Sequence, residues 1–195
     1  MNKQSVIEFF DRLAAEWDAN MIRDDRIIGA ILDYAGVQES VSVLDVACGT
    51  GVLVPDYLAR QASSVTGVDI SSAMINIARA KFSDPRVSFV HGDVEEISFQ
   101  TAFDCCVVYN AFPHFPDPAR LAKTLACHLK NGGRLTIAHG MSREQINKHH
   151  SNQASAVSIG LMGEKELSEI MGLYLNVDTI LSNHEMYAVS GFKNK

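Results

Sequence analysis

The chain has 195 residues, 47% of them hydrophobic and 21% charged, with a formal net charge of −6. That length fits one domain, burying about 70% of the surface its unfolded chain would expose, so folding requires neither a disulfide nor a metal. The composition excludes disordered and fibrous classes, and an acidic chain with no cluster of Lys and Arg lacks the electrostatic footprint of a nucleic-acid binder.

The opening segment carries Asp11, Glu16 and Asp18 and no continuous apolar run, which argues against a signal peptide or membrane anchor there and for a cytoplasmic protein. Ile7, Phe10, Leu13, Ala14 and Trp17 recur at helical spacing and predict an amphipathic helix over 6–20. A second helix is expected over 25–34, with Ile27, Ile28, Ile31 and Leu32 as its apolar face and Gly36 as its stop. Short segments rich in Val, Ile and Phe then alternate with helical stretches. Strands are expected at 42–46, 64–68, 86–91, 103–109 and 134–139, and helices at 53–61, 73–82 and 119–129, the last ended by a turn at Asn131, Gly132 and Gly133. Such alternation predicts a mostly parallel sheet covered on both faces, with right-handed crossovers. Ser142 with Gln145 reads as a capping box opening a helix through His150. A loop over 151–161, a helix over 164–175 and an antiparallel hairpin of strands 176–182 and 186–192 complete the chain. No repeat or linker divides it, so one domain over 1–195 is expected, with a helical cap at 1–36 and the sheet core at 41–195. Cys48, Cys105, Cys106 and Cys127 show no paired C-x-x-C spacing. They read as reduced, packed thiols, with the adjacent Cys105 and Cys106 on opposite faces of their strand.

The strongest local signal is Val43-Leu44-Asp45-Val46-Ala47-Cys48-Gly49-Thr50-Gly51, an apolar strand running into a Gly-x-Gly turn and then a helix. Glycines there let backbone approach a ligand closely, and the following helix presents unpaired N–H groups, which suits a nucleotide-like ligand beyond the carboxyl ends of the strands. Asp69 ends the second strand and Asp93 follows the third. A carboxylate in the place of Asp69, read as an exposed strand end, can accept both hydroxyls of a ribose, and Asp93 can accept from an adenine amino group.

These motifs resemble the class I S-adenosylmethionine-dependent methyltransferases, especially the small-molecule group (methyltransferase type 11) that includes quinone-biosynthesis enzymes. VLDVACGTG, VTGVDISSAM, VSFVHGDVEE and the late KNGGRL carry the likeness, and the N-terminal FFDRLAAEWD extends it. The resemblance implies an α/β, doubly wound Rossmann-like sheet of seven strands in the order 3-2-1-4-5-7-6, the last antiparallel. It implies S-adenosyl-L-methionine as cofactor and S-adenosyl-L-homocysteine as product. By resemblance, Asp45, Gly49, Thr50 and Gly51 surround the methionine portion, Asp69 takes the ribose, Met74 packs on the adenine, and Asp93 with Val94 meets the adenine edge, with Ala47 and Ile70 also among the cofactor-binding residues. Tyr109, Asn110 and Ala111 would line the cleft below the sulfonium. The family often has glycine where Ala47 stands. An NAD-dependent oxidoreductase is the rival for a Gly-x-Gly turn followed by Asp69. Val54 in place of a third glycine, Asp45 inside the first strand and the Gly-Gly turn before Arg134 weigh against it. A nonenzymatic S-adenosylmethionine-binding protein is the other alternative.

Methyl transfer from a sulfonium is an in-line displacement that needs alignment and, for some acceptors, a base. Base-methylating enzymes resemble Asn-Pro-Pro-Tyr where this chain has Tyr109-Asn110-Ala111-Phe112, and Cys105 and Cys106 sit mid-strand, away from any C5-pyrimidine chemistry. A small-molecule acceptor follows, with no nucleic acid and no membrane, and with monomer or homodimer both open. His114 and His139 are the candidate catalytic bases, since an ordinary histidine titrates near neutrality. Trp17, Tyr109, His114, His149 and His150 are candidates for the acceptor pocket, with Phe9 and Phe10 beside Trp17 on a lid helix. Without H-x-x-x-H spacing or a carboxylate partner, no metal is expected.

Overall fold

Capping and burial explain where the helices lie. The structure is a computed structural model that describes residues 2–153 and 156–194, with side chains described at all of these except 149–153. Helix α3 (Asp25–Tyr34) begins at Asp24, whose carboxylate accepts from the Ile27 N–H, and buries Ile27, Ile28, Ile31 and Leu32. It ends at Gly36 with φ 68°, where the Val37 N–H reaches the Leu32 carbonyl and the Gly36 N–H that of Asp33, a Schellman ending that only a left-handed residue closes. The expected first helix is broken. Helix α1 (Lys3–Leu13) starts earlier because Asn2 caps it, and a 3₁₀ turn (Ala14–Glu16) separates it from the short α2 (Trp17–Asn20).

Strands β1 (Ser42–Val46), β2 (Ser64–Asp69), β3 (Val87–His91), β4 (Phe103–Tyr109), β5 (Leu129–His139), β6 (Asn176–Ser182) and β7 (Tyr187–Phe192) form one sheet in the order 3-2-1-4-5-7-6. Only β7 is antiparallel to its neighbours β5 and β6. One face packs on α3 and on α4 (Val54–Ala59) through Val43, Val65, Cys105 and Val107. The other packs on α6 (Pro118–His128) and α8 (Glu164–Gly172) through Leu44, Cys106, Leu135 and Ile137. The two adjacent cysteines thus enter opposite layers, as strand alternation requires. Helix α5 (Ser72–Lys81) flanks β2 and β3, with Ser71 accepting from the Met74 N–H at its start. Helix α7 (Arg143–Gln153) opens with both bonds of the capping box, Gln145 N–H to Ser142 Oγ and Ser142 N–H to Gln145 Oε1. It extends three residues beyond His150 into the expected loop.

The expected turn at Asn131, Gly132 and Gly133 is instead part of β5. Leu129 pairs with Phe103, the Gly132 N–H bonds the Lys193 carbonyl, and the Lys193 N–H bonds that of Gly133. A Cβ on Gly133 would come within 2.9 Å of the Phe103 carbonyl oxygen, so glycine here serves close backbone approach in a bulged strand.

Beyond β1 the chain turns through Ala47 (φ 54°), Gly49 (φ 54°) and Gly51 (φ 81°). A side chain at Gly51 would meet the Phe82 ring at 2.7 Å, whereas Ala47 already bears the cost of a left-handed residue. Ala47→Gly relieves about 1–2 kcal/mol of that strain against about 0.4–1 kcal/mol of added unfolded-state freedom, and is expected to stabilise by about 0.5 kcal/mol. Gly51→Ala is expected to destabilise by about 2 kcal/mol or more, from overpacking and left-handed strain together. Denaturant unfolding of the two variants reads the opposite signs.

Candidate cofactor and acceptor site

The glycine turn is tied to the end of β2. The Cys48 N–H bonds the Val68 carbonyl at 3.0 Å and the Gly49 N–H bonds Asp69 Oδ2 at 2.8 Å, while Asp69 Oδ1 accepts from the Ser71 N–H at 2.8 Å. Asp69 is buried, a correction to the exposed strand end expected of it. Burial pushes its carboxyl up, and the two backbone bonds pull it back. Its free lone pairs still suit two hydroxyl donors. Asp45 lies on the same face of the sheet, fully enclosed. Desolvation pushes its pKa up to about 8, Asp69 adds to the rise, and the neighbouring Tyr57 hydroxyl opposes it. Neither Asp45 Oδ2 nor the Tyr57 hydroxyl completes a hydrogen bond. A buried carboxylate oxygen left over beside a glycine turn is suited to a cationic partner. Asp93 caps the turn after β3, accepting from the Glu95 N–H, and its other oxygen is 2.5 Å from Lys3 Nζ.

The N-terminal segment lies across these groups. Asp11 accepts from Ser71 Oγ and from the Ala73 N–H at the start of α5. Asp18 bonds the Thr50 hydroxyl and pairs with Lys81 at 2.6 Å. A Cβ on Gly49 would lie 3.7 Å from the Trp17 indole nitrogen and 4.0 Å from the Met74 sulfur, so Trp17 packs over the turn and Met74. Arg23, just past α2, donates to the Val52 carbonyl at 3.0 Å and to Asp56 at 2.6 Å, fixing the following loop to α4. Sequence reasoning missed Lys3, Asp11, Asp18 and Lys81 as partners of the site, because charges on an amphipathic helix read as its solvated face. A weak signal was the recurrence of acids beside Phe10 and Trp17.

The acceptor candidates separate. His114 stands edge-on to Phe10 at 4.9 Å, which in turn contacts Trp17 at 5.7 Å, and His114 Nδ1 is 2.7 Å from the Val157 carbonyl. The carbonyl can only accept, so Nδ1 carries the proton and Nε2 is the basic nitrogen. Burial lowers the His114 pKa, with the Val157 bond opposing, and leaves the ring neutral at pH 7. His139 is fully buried at the end of β5, 6.1 Å from the Tyr187 ring, on the face with Leu135 and Ile137 and away from Asp45 and Asp69. Tyr109 turns towards α3, packing with Ile27 and Ile31, its hydroxyl against Gly140. Asn110 (φ 55°) joins the ends of β4 and β5, its Oδ1 accepting from the Gly140 N–H at 2.9 Å. Val94 is buried in the core on the α6 side, and Ile70 offers its carbonyl to His91 Nε2 at 3.1 Å. The side chains of His149 and His150 lie outside the described residues. Among the described residues no three His, Cys, Asp or Glu side chains gather as metal ligands, and no helix is long and apolar enough to cross a membrane.

A family profile described as a methyltransferase domain matches residues 43–133. A malonyl-[acyl-carrier protein] O-methyltransferase from Priestia megaterium is 28% identical over 152 residues, covering 74% of this chain and 55% of that protein. A ubiquinone biosynthesis O-methyltransferase from Coxiella burnetii is 31% identical over 144 residues, covering 69% of this chain and 61% of that protein. The chain therefore spans less than two thirds of the length of either relative. The N-methyltransferase NodS from Bradyrhizobium japonicum, solved with S-adenosyl-L-homocysteine, superposes with a TM-score of 0.74 at 14% identity, covering 97% of this chain and 99% of that one. The sheet order also separates the chain from dinucleotide-binding Rossmann folds, whose order is 3-2-1-4-5-6, because here β7 inserts antiparallel beside β5. Sheet order, glycine motif and relatives together make the chain similar to S-adenosylmethionine-dependent methyltransferases, with a methyltransferase domain matched over residues 43–133.

Proposed function

We propose that this protein transfers the methyl group of S-adenosylmethionine to a small-molecule acceptor. The observation that carries the reading is the meeting of a left-handed glycine turn with the buried acids Asp45 and Asp69 at the carboxyl ends of β1 and β2. When bound, the cofactor supplies an electrophilic methyl group on a sulfonium. Asp45, through its leftover Oδ2, would hold the methionine ammonium, and Gly49 to Gly51, with Ala47 at their edge, would hold the methionine backbone. Asp69 beside Ile70 would accept the ribose hydroxyls, with Met74, Asp93 and Val94 around the adenine. Asn110 would shape the floor of the cleft.

For the acceptor, His114 is the base we favour. Val157 fixes its tautomer, its neutral ring can take a proton from a hydroxyl or thiol, and the rings around it suit an apolar acceptor. His139 stands enclosed in the opposite layer, so its role in this reading is packing. Nucleic acid is not part of it, given the net charge of −6, and a single cytoplasmic domain with a helical cap at 1–36 is.

Three outcomes test the reading. Asp69→Ala is expected to weaken S-adenosylhomocysteine binding at least about tenfold in calorimetry. Because Asp69 also bonds two backbone N–H groups, the same change is expected to cost about 2 kcal/mol of stability. Unchanged affinity would sink the assignment. Between pH 6 and 8 the affinity for S-adenosylmethionine is expected to rise as the Asp45 carboxyl ionises, and to level off above its pKa of about 8. The stability of the protein alone runs the other way. A raised carboxyl pKa makes the folded chain bind that proton more tightly than the unfolded one, so stability falls as pH climbs from about 4 to about 8. Asp45→Asn is expected to flatten both profiles. His114→Ala is expected to lower kcat by about 100-fold or more at unchanged cofactor affinity, and an unchanged kcat would leave positioning alone as the mechanism.

A further inference from the structure

Residues 156–163 carry no helix or strand, so the backbone polar groups of this stretch depend on partners elsewhere. At one end Leu161 packs in the core, and its peptide groups are taken by α7. The Leu161 N–H donates to Asn147 Oδ1 at 2.6 Å, and the Leu161 carbonyl accepts from Asn147 Nδ2 at 3.2 Å and from Arg143 Nε at 2.9 Å. Arg143 and Asn147 are one helical turn apart and so share a face of α7. An amide side chain offers a donor and an acceptor side by side, and Asn147 thus stands in for the edge of a neighbouring strand.

The grip at Leu161 leads back to His114. Gly160 turns the chain in the left-handed region (φ 78°), and a Cβ there would lie 3.3 Å from Asn147 Oδ1. On the far side of that turn the Ile159 N–H bonds the Pro113 carbonyl at 2.9 Å, and the Val157 carbonyl accepts from His114 Nδ1 at 2.7 Å. Pro113 and His114 are neighbours in the 3₁₀ turn Phe112–His114, so two rungs tie that turn to the stretch 157–161. The Val157 side chain is buried beside Val6, Phe9 and Phe10, but apolar contact has no direction and does not aim a carbonyl. The aim comes from the hydrogen bonds at Ile159 and Leu161. Which ring nitrogen of a histidine holds the proton is set by such a bond, and the acceptor at Val157 keeps it on Nδ1 and leaves the lone pair on Nε2.

We propose that Asn147 is a positioning residue for His114. By gripping Leu161 it holds the Val157 carbonyl in place, and with it the proton on His114 Nδ1. A side chain of α7 thereby sets which nitrogen faces the acceptor as a base. This inference rests on the reading of His114 as that base.

Nitrogen NMR of the isotope-labelled full chain near neutral pH reads the tautomer directly, the His114 signals being those among the seven histidines that vanish in His114→Ala. The unaltered chain is expected to hold the proton on Nδ1. Asn147→Ala and Asn147→Asp are each expected to shift the tautomer ratio towards Nε2–H by about threefold or more, the worth of about one weakened hydrogen bond. Calorimetric affinity for S-adenosylhomocysteine is expected to stay unchanged, because the bonds of Asn147 go to Leu161 and not to the cofactor crevice. Asn147→Asp keeps the size of the side chain and sets a carboxylate oxygen against the Leu161 carbonyl, so it decides the matter if Asn147→Ala does not fold. A ratio unmoved in the folded variants overturns the inference. A ratio that moves only together with a loss of S-adenosylhomocysteine affinity overturns it too, since the substitution then disturbs the fold at large. A proton found on Nε2 in the unaltered chain would overturn the reading of His114 as the base, a result distinct from variants that fail to move the proton from Nδ1.

Discussion

Both oxygens of one buried carboxylate, that of Asp69, accept backbone N–H groups from separate loops, Gly49 after β1 and Ser71 before α5. The two central strand ends of the crevice are held in register by this clasp, with the Cys48 to Val68 bond beside it. Hydrogen bonds to a charged acceptor are worth about 1.5–3 kcal/mol each, and the cost of burying the carboxylate is set against them. The glycine turn keeps its succession of left-handed residues because its N–H groups are anchored this way.

Around the clasp the acids divide into two environments. Asp45 is sealed between β1 and α4 with an oxygen left over, and burial holds its proton until about pH 8. Asp93 and Asp18 reach the edge of the crevice, where Lys3 and Lys81 neutralise them. The deep acid is thus kept neutral by burial, while the shallow acids are charged and already paired. The N-terminal segment supplies one member of each pair, Lys3 and Asp18, which links the edge of the crevice to the packing of α1 and α2.

The two histidines show how fold position decides chemical role. His114 follows β4 in a 3₁₀ turn, faces Phe10 and has its tautomer set by the Val157 carbonyl. His139 ends β5 one strand away, but strand alternation turns it into the layer with Leu135, Ile137 and Tyr187. Two residues of one type near neighbouring strand ends thus differ in surroundings, one in a turn beside Phe10 and the other inside a strand of the core.

The doubly wound sheet, its strand order, the closing hairpin and the motif from Val43 to Gly51 were legible in the sequence. Each rests on local periodicity, on stops such as Gly36, or on residues matching a known family. The capping box at Ser142 was legible for the same reason, since both its partners lie within one helical turn. Tertiary contact decided the rest. Asn131 to Gly133 reads as a turn by local chemistry, yet pairing with Phe103 and Lys193 makes it a bulged strand. Asp69 reads as an exposed strand end, yet the Gly49 turn and α5 enclose it. Asp11 and Asp18 read as a solvated helix face, and become ties to the site only because α1 folds back across α5, a contact separated by about sixty residues of chain. Spacing along a chain reports which face a residue shares with its neighbours, but what that face meets is set by the packing of distant elements.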